Sequence, residues 1–189
     1  MRIGYIGGHW HTNIGNSFYN IGALHLLKKL YPGSVYFIPD PAQEYWAKLK
    51  NDYKFIDNLD LDLLIITGPS FGGKFIDAYK SIFDSFKKKN KQIGFLSIGA
   101  VEYTEKETEK IANFLKKYNI RFVATRDSLT YNFYKDKINA PIYDGICTSM
   151  FLSDSVSVPK LDDKYYVFNF DQSSEPFIFR DRKNNFIYK

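Results

Sequence analysis

The sequence predicts an α/β fold: a doubly wound, mostly parallel sheet with helices on both faces. Three observations carry that expectation. Short segments rich in Ile, Val, Phe and Tyr alternate with helical patterns from the first residues onward. Several of these segments are apolar without polar alternation, as strands covered on both faces are. Glycine and polar residues gather in the loops that follow them, where a parallel sheet carries its ligands.

The first strand is expected at Arg2–Ile6, and a ten-residue polar and glycine loop follows it, Gly7–Asn16. A helix then starts near Asn16 with Tyr19, Ala23, Leu26, Leu27 and Leu30 on one side, and Tyr31-Pro32-Gly33 stops it. Val35–Ile38 and Leu63–Thr67 are the next strands, the latter running into Gly68-Pro69-Ser70-Phe71-Gly72-Gly73. Phe75–Lys88 is helical, with Ile76, Tyr79, Phe83 and Phe86 as its stripe. The basic run Lys87–Lys91 falls at that helix's C-terminus, where cations complement the helix dipole.

Ile93–Ile98 is a strand, and Thr104–Tyr118 is the clearest helix. It opens on the capping box Thr104-Glu105-Lys106-Glu107 and repeats Ile111, Phe114, Leu115 and Tyr118 at helical spacing. Arg121–Thr125 is a strand, Asp127 caps a short helix carrying Leu129 and Phe133, and Pro141–Tyr143 is a last short strand. Residues 1–152 therefore read as one α/β domain. Residues 153–164 read as a linker, and 165–189 as a further strand, Tyr165–Phe170, with a tail.

Composition bounds the function. In 189 residues, 44% are hydrophobic and 18% aromatic, enough to build a core and too much for disorder. No apolar run reaches the roughly 18–20 residues of a membrane span. The segment after Met1 is strand-like and lacks the pattern of a signal peptide. One cysteine, Cys147, excludes an internal disulfide framework and a cysteine-built zinc site. A reducing, cytoplasmic setting is expected. The net charge of +5 comes from lysine, with five arginines in all, so a nucleic-acid partner is not expected.

Three constellations carry chemistry. Gly68-Pro69-Ser70-Phe71-Gly72 fits G-x-S-x-G between a strand and a helix. A Ser70 nucleophile needs a histidine later in the chain, yet His9, His11 and His25 all precede it, so the hydrolase reading fails. The turn still offers N–H groups to an anion. The first loop holds His9 and His11, each able to act as a general acid or base, with no third ligand in view for a metal. It also lacks a dinucleotide fingerprint. Arg126-Asp127 closes one strand and opens a helix; Asp127 suits an N-cap, and Arg126 can hold a phosphate or carboxylate through paired hydrogen bonds.

Asn13-Ile14-Gly15-Asn16, Leu96-Ser97-Ile98-Gly99, Phe122–Thr130 with its Arg126-Asp127 junction, and Tyr143-Asp144 followed by Met150-Phe151-Leu152 come in that order. Together they resemble the first half of the polysaccharide pyruvyl transferase family over roughly residues 1–152. Asn16 stands where that family often has Asp. The resemblance implies a Rossmann-like half of a GT-B-type architecture, with 165–189 as the start of a second domain. It implies transfer of pyruvate from phosphoenolpyruvate to a sugar of a polysaccharide or its precursor, as a ketal, without a further cofactor.

That chemistry needs an acid for the enol carbon, cations for carboxylate and phosphate, and a base for the sugar hydroxyl. The resemblance gives His9 and His11 the proton transfers. It gives Asn13, Gly15, Asn16, Gly68, Ser70, Phe71, Gly72, Arg126 and Asp127 the substrate contacts. It leaves open whether the chain works alone, as a homo-oligomer or with a partner chain carrying a second half. It equally leaves open a saccharide- or nucleotide-sugar-binding remnant without catalysis, and one half of a GT-B-like glycosyltransferase.

Overall fold

The computed structural model describes residues 1–7, 14–38 and 54–157, together with the backbone of 178–180 and 186–188. The chain divides into two units, Met1–Ser157 and Val158–Lys189. The expected strand Tyr165–Phe170 lies outside the described residues. The second unit contributes one antiparallel pair, β7 (Ile178–Arg180) with β8 (Phe186–Tyr188), in which Phe179 faces Ile187.

The first unit is an open sheet of six parallel strands in the order β2-β1-β3-β4-β5-β6. These are β1 (Ile3–Ile6), β2 (Val35–Ile38), β3 (Leu63–Phe71), β4 (Gln92–Ala100), β5 (Ile120–Thr125) and β6 (Ile142–Tyr143). Among the described residues its α-helices are α1 (Ile14–Leu30), α2 (Phe75–Lys88), α3 (Glu105–Leu115) and α4 (Ser128–Tyr134), with 3₁₀ helices at Lys54–Asn58 and Thr148–Asp154. The doubly wound α/β expectation is met.

Two hydrophobic clusters mark the two faces. Ala23 and Leu27 of α1 pack with Ile3, Tyr5, Leu63 and Ile65 on one side. On the other, α2 and α3 cover Ile6, Leu64, Ile66, Phe95 and Val123. Alternate residues of β1 and β3 thus go to opposite faces, and both are buried. The larger cluster is aromatic: the Phe71 ring lies 5.4 Å from Phe75, 5.1 Å from Phe95 and 5.0 Å from Tyr134. Such pairs add about 0.5–1.5 kcal/mol each beyond burial.

The helix faces differ in detail from the expected stripes. In α1 the core takes Tyr19, Asn20, Gly22, Ala23 and Leu27, while Leu30 is exposed. Leu30 ends the helix where the chain turns toward β2, beyond the sheet it would cover. In α2 Phe75, Ala78, Tyr79, Ile82, Phe83 and Phe86 are buried, and Ile76 only borders the cluster. In α4 the inward residues are Thr130 and Tyr134, and Leu129 is exposed.

Helix ends follow local chemistry. The Lys87–Lys91 run closes α2 through a Schellman turn: Asn90 takes φ 51°, its N–H donates to the Lys87 carbonyl, and Lys91 N–H donates to Phe86. Asp127 caps α4 by accepting from the Thr130 N–H at 2.7 Å.

Candidate functional site

The strand order reverses direction between β1 and β3, which places a crevice outside their carboxyl ends. Register builds the edge residue by residue. Ile6 pairs with Ile66, Gly68 with Ile98, and Ile98 with Thr125. Gly7, Gly68, Gly99 and Arg126 therefore stand along one edge, on strands about 4.8 Å apart.

The backbone is unusual there. Ser97 has φ 57° in the middle of β4 although it is not glycine, and it is only 2% exposed. The pairing shows why: Thr67 faces Leu96 and Gly68 faces Ile98, so Ser97 is an extra, bulged residue. Gly68 has φ 102°, and any Cβ on it would lie 2.8 Å from the Tyr19 hydroxyl oxygen. Two left-handed residues on adjacent strands bend both ends at the site, a cost of the order of 1–3 kcal/mol for the non-glycine one.

A buried polar floor supports this edge. The Tyr5 hydroxyl donates to Asn20 Oδ1 at 2.7 Å and lies 2.9 Å from Thr67 Oγ1. Burial pushes the Tyr5 phenol above its ordinary range, so it stays neutral. Gly7 lies directly against Asn20, leaving no room for a side chain. A second set ties in the 3₁₀ helix after β6. The Thr148 N–H donates to Ser97 Oγ at 3.0 Å, and Thr148 Oγ1 donates to the Tyr19 carbonyl at 2.8 Å. The Thr148 carbonyl in turn abuts Gly22 of α1.

Among the described residues Arg126 is a cation of this edge. Its side chain lies across Gly99, with Cζ 2.8 Å from where a Cβ would stand. Its Nε is 3.5 Å from the Asp127 carboxylate, and the side chain is one-third exposed. Among the described residues its two terminal nitrogens have no hydrogen-bond partner, so a fork of donors remains for an anion. Asp127 also caps α4, and Ser128 Oγ donates to Asp144 at 2.9 Å.

The other expected residues fall as follows. His9, His11 and Asn13 lie outside the described residues. Gly15 and Asn16 occupy the first turn of α1. Ser70 belongs to the last stretch of β3, with its side chain outside the described set. Phe71 is fully buried in the aromatic core, and its carbonyl accepts from the Val101 N–H at 2.8 Å. Gly72 packs under Val101. Among the described residues no group of three His, Cys, Asp or Glu side chains can hold a metal, and no helix is long and apolar enough to cross a membrane.

Sequence reasoning missed Tyr5, Asn20, Thr67, Ser97 and Thr148. The signal was available in part. Thr67 and Ser97 are polar residues interrupting apolar strands near their carboxyl ends, and Asn20 interrupts the buried face of α1.

These features define a doubly wound α/β domain with a buried polar floor at the carboxyl ends of β1 and β3, its topological switch point, and Arg126 on the same edge after β5. The chain belongs to the polysaccharide pyruvyl transferase family, whose model matches residues 13–188. That match extends past the residues 1–152 over which the motifs were read. None of the curated proteins is a significant match. Among solved structures, a flavone reductase is similar at 15% identity and a TM-score of 0.42. The alignment covers 82% of this chain, and this chain spans 57% of that one.

Proposed function

We propose that this chain takes part in transferring pyruvate from phosphoenolpyruvate to a sugar of a polysaccharide or its precursor, forming a ketal. The observation that carries the reading is Arg126 laid across Gly99 at the carboxyl edge of the sheet, its terminal nitrogens without a hydrogen-bond partner among the described residues. Family membership supplies the chemical class. In the balanced reaction, two sugar hydroxyl oxygens bond to the central carbon of the donor and phosphate leaves. One hydroxyl proton is matched by the proton gained at the donor methylene, and the other by the proton leaving with phosphate. Arg126 serves as the anion anchor, and His9 or His11 as the proton carrier.

Titration calorimetry with phosphoenolpyruvate, on wild type and Arg126→Ala, tests the reading. Loss of a charge-assisted pair predicts binding weaker by roughly 10–100-fold in the variant. Binding that is unchanged by Arg126→Ala overturns the assignment of the anchor. Turnover with a hexoside acceptor, followed as released phosphate, tests the transfer itself. Binding without turnover favours a non-catalytic saccharide-binding protein of the same fold.

A further inference from the structure

Glu107 is the third residue of α3, and the capping box has its carboxyl reach back to the Thr104 N–H. Half of the box forms: the Glu107 N–H donates to Thr104 Oγ1 at 3.3 Å. The side chain goes farther. Its Oε2 accepts from the Glu102 N–H at 2.9 Å, while the Thr104 N–H donates to the Glu102 carbonyl at 2.8 Å. One buried side chain thus spans the β4–α3 loop, Val101–Thr104. Glu107 is only 5% exposed, and its Oε1 has no hydrogen-bond partner.

The groups around it are few. From the β3–α2 turn comes Gly73, where a Cβ would stand 3.9 Å from Oε1 with nothing else in reach. From α4 comes Tyr134, fully buried, its own hydroxyl unpartnered and influenced by the Glu107 charge. Thr108 faces that hydroxyl but donates its proton to the Thr104 carbonyl at 2.8 Å. From the loop come Glu102, a like charge, and Tyr103, whose ring packs against Phe133 of α4 at 5.8 Å. From α3 itself comes Lys110, the cation that acts on it among the described residues, which reaches the Gly73 carbonyl at 3.5 Å. Burial holds the Glu107 carboxyl above the usual carboxylate range, against the Glu102 N–H bond, which favours the charged form; the Glu102 charge adds to the rise and Lys110 opposes it.

We propose that Glu107 is a protonation-controlled latch on the β4–α3 loop. As the neutral acid it accepts from the Glu102 amide on Oε2 and carries its proton on Oε1, the oxygen without a partner. As a carboxylate it shares its charge between Oε2, which has one donor, and Oε1, which has none. Burying that charge is costly unless the side chain reaches water, which releases Val101–Thr104. Val101 covers the bare face of Gly72, its Cγ2 2.8 Å from where a Cβ would stand, so release uncovers the β3–α2 turn. The latch does not depend on which substrate the edge binds.

Amide hydrogen exchange by NMR on the full chain tests it, from about pH 4 to about pH 8, with intrinsic exchange divided out. The reporter is the Glu102 N–H. The Ile93 N–H, bonded to the Asn119 carbonyl at 3.0 Å in the sheet, reports global opening. Glu102 protection is expected to fall by about tenfold or more across the Glu107 titration, with Ile93 unchanged. Glu107→Gln keeps an acceptor and a donor and cannot ionise, so its Glu102 protection stays flat.

Protection that is independent of pH in wild type, or that falls equally in Glu107→Gln, overturns the latch. Should Glu107→Gln fail to fold, the wild type decides alone. A common midpoint for the Glu107 carboxyl carbon and the Glu102 amide supports the latch, and separate midpoints overturn it.

Discussion

Arg126 lies across the bare α-carbon of Gly99, so the reach of the guanidinium depends on glycine at a position of the neighbouring strand. A methyl group on Gly99 would meet the far end of a flexible side chain, which can swing aside at little cost. Gly99→Ala is therefore expected to leave thermal stability within about 1 kcal/mol of wild type. It displaces the donor fork, and phosphoenolpyruvate affinity should drop by roughly tenfold, approaching that of Arg126→Ala. Calorimetric binding beside a thermal melt separates the two effects; an affinity that holds in Gly99→Ala would show that the anchor does not need this close approach.

Gly22 meets a harder neighbour. Its missing Cβ would overlap the Thr148 carbonyl, which is backbone and is held by the Thr148 bonds to Ser97 and Tyr19. Gly22→Ala gains about 1 kcal/mol in helix propensity and should lose more to the clash, for a net destabilisation of roughly 1–3 kcal/mol. Thr148→Val removes one hydrogen bond and should cost about 1 kcal/mol. Urea unfolding of both single variants and the double measures this. The double should fall short of the sum, because both changes loosen the same contact between α1 and the 3₁₀ helix.

Asp84 sets a pH dependence of opposite sign to that of Glu107. It accepts from Lys80 at 2.5 Å and from the Tyr118 hydroxyl at 2.9 Å, and the Lys80 bond first of all holds its carboxyl below the usual range. A depressed folded-state value means the carboxylate stabilises the fold above the unfolded value, near pH 4. That contribution is lost as pH falls through the folded value. The side chain is over one-third exposed, so the gain is screened to about 0.5–1 kcal/mol. Asp84→Asn should be less stable than wild type by that amount at pH 7 and equal to it near pH 2, as read from denaturant midpoints.

Much of this fold was legible in the sequence because period and punctuation are local. The bounds of β2 and α2 follow directly from apolar runs ended by Pro, Gly or a lysine cluster. Asp127 was legible as a cap for the same reason, since its partner is three residues away. The site was less legible because its geometry is made by partners distant in the chain. Ser97 reads as an ordinary strand residue, and its bulge exists only through the registers of β3 and β5. Thr148 reads as loop, yet it is buried by α1, whose Tyr19 lies 129 residues earlier. The aromatic ring of Phe71 illustrates the reverse: a glycine-flanked position suggests exposure, and the sheet continues through it instead.

Phe71 provides the sharpest separation of core from site. Its ring is closed in by Phe75, Phe95 and Tyr134 and has no exposed surface. Removing such a ring leaves a cavity that the rigid sheet cannot collapse, so Phe71→Ala is expected to cost about 3–5 kcal/mol. Phe71→Leu keeps apolar volume and should cost roughly 1–2 kcal/mol, leaving enough folded protein for binding measurements. A residue in contact with ligand would show the opposite balance, with affinity falling more than stability. The expectation is that Phe71→Leu lowers the unfolding midpoint while phosphoenolpyruvate affinity changes by less than about threefold, because only the Phe71 backbone reaches the edge. A larger affinity loss at unchanged stability would return Phe71 to the binding surface.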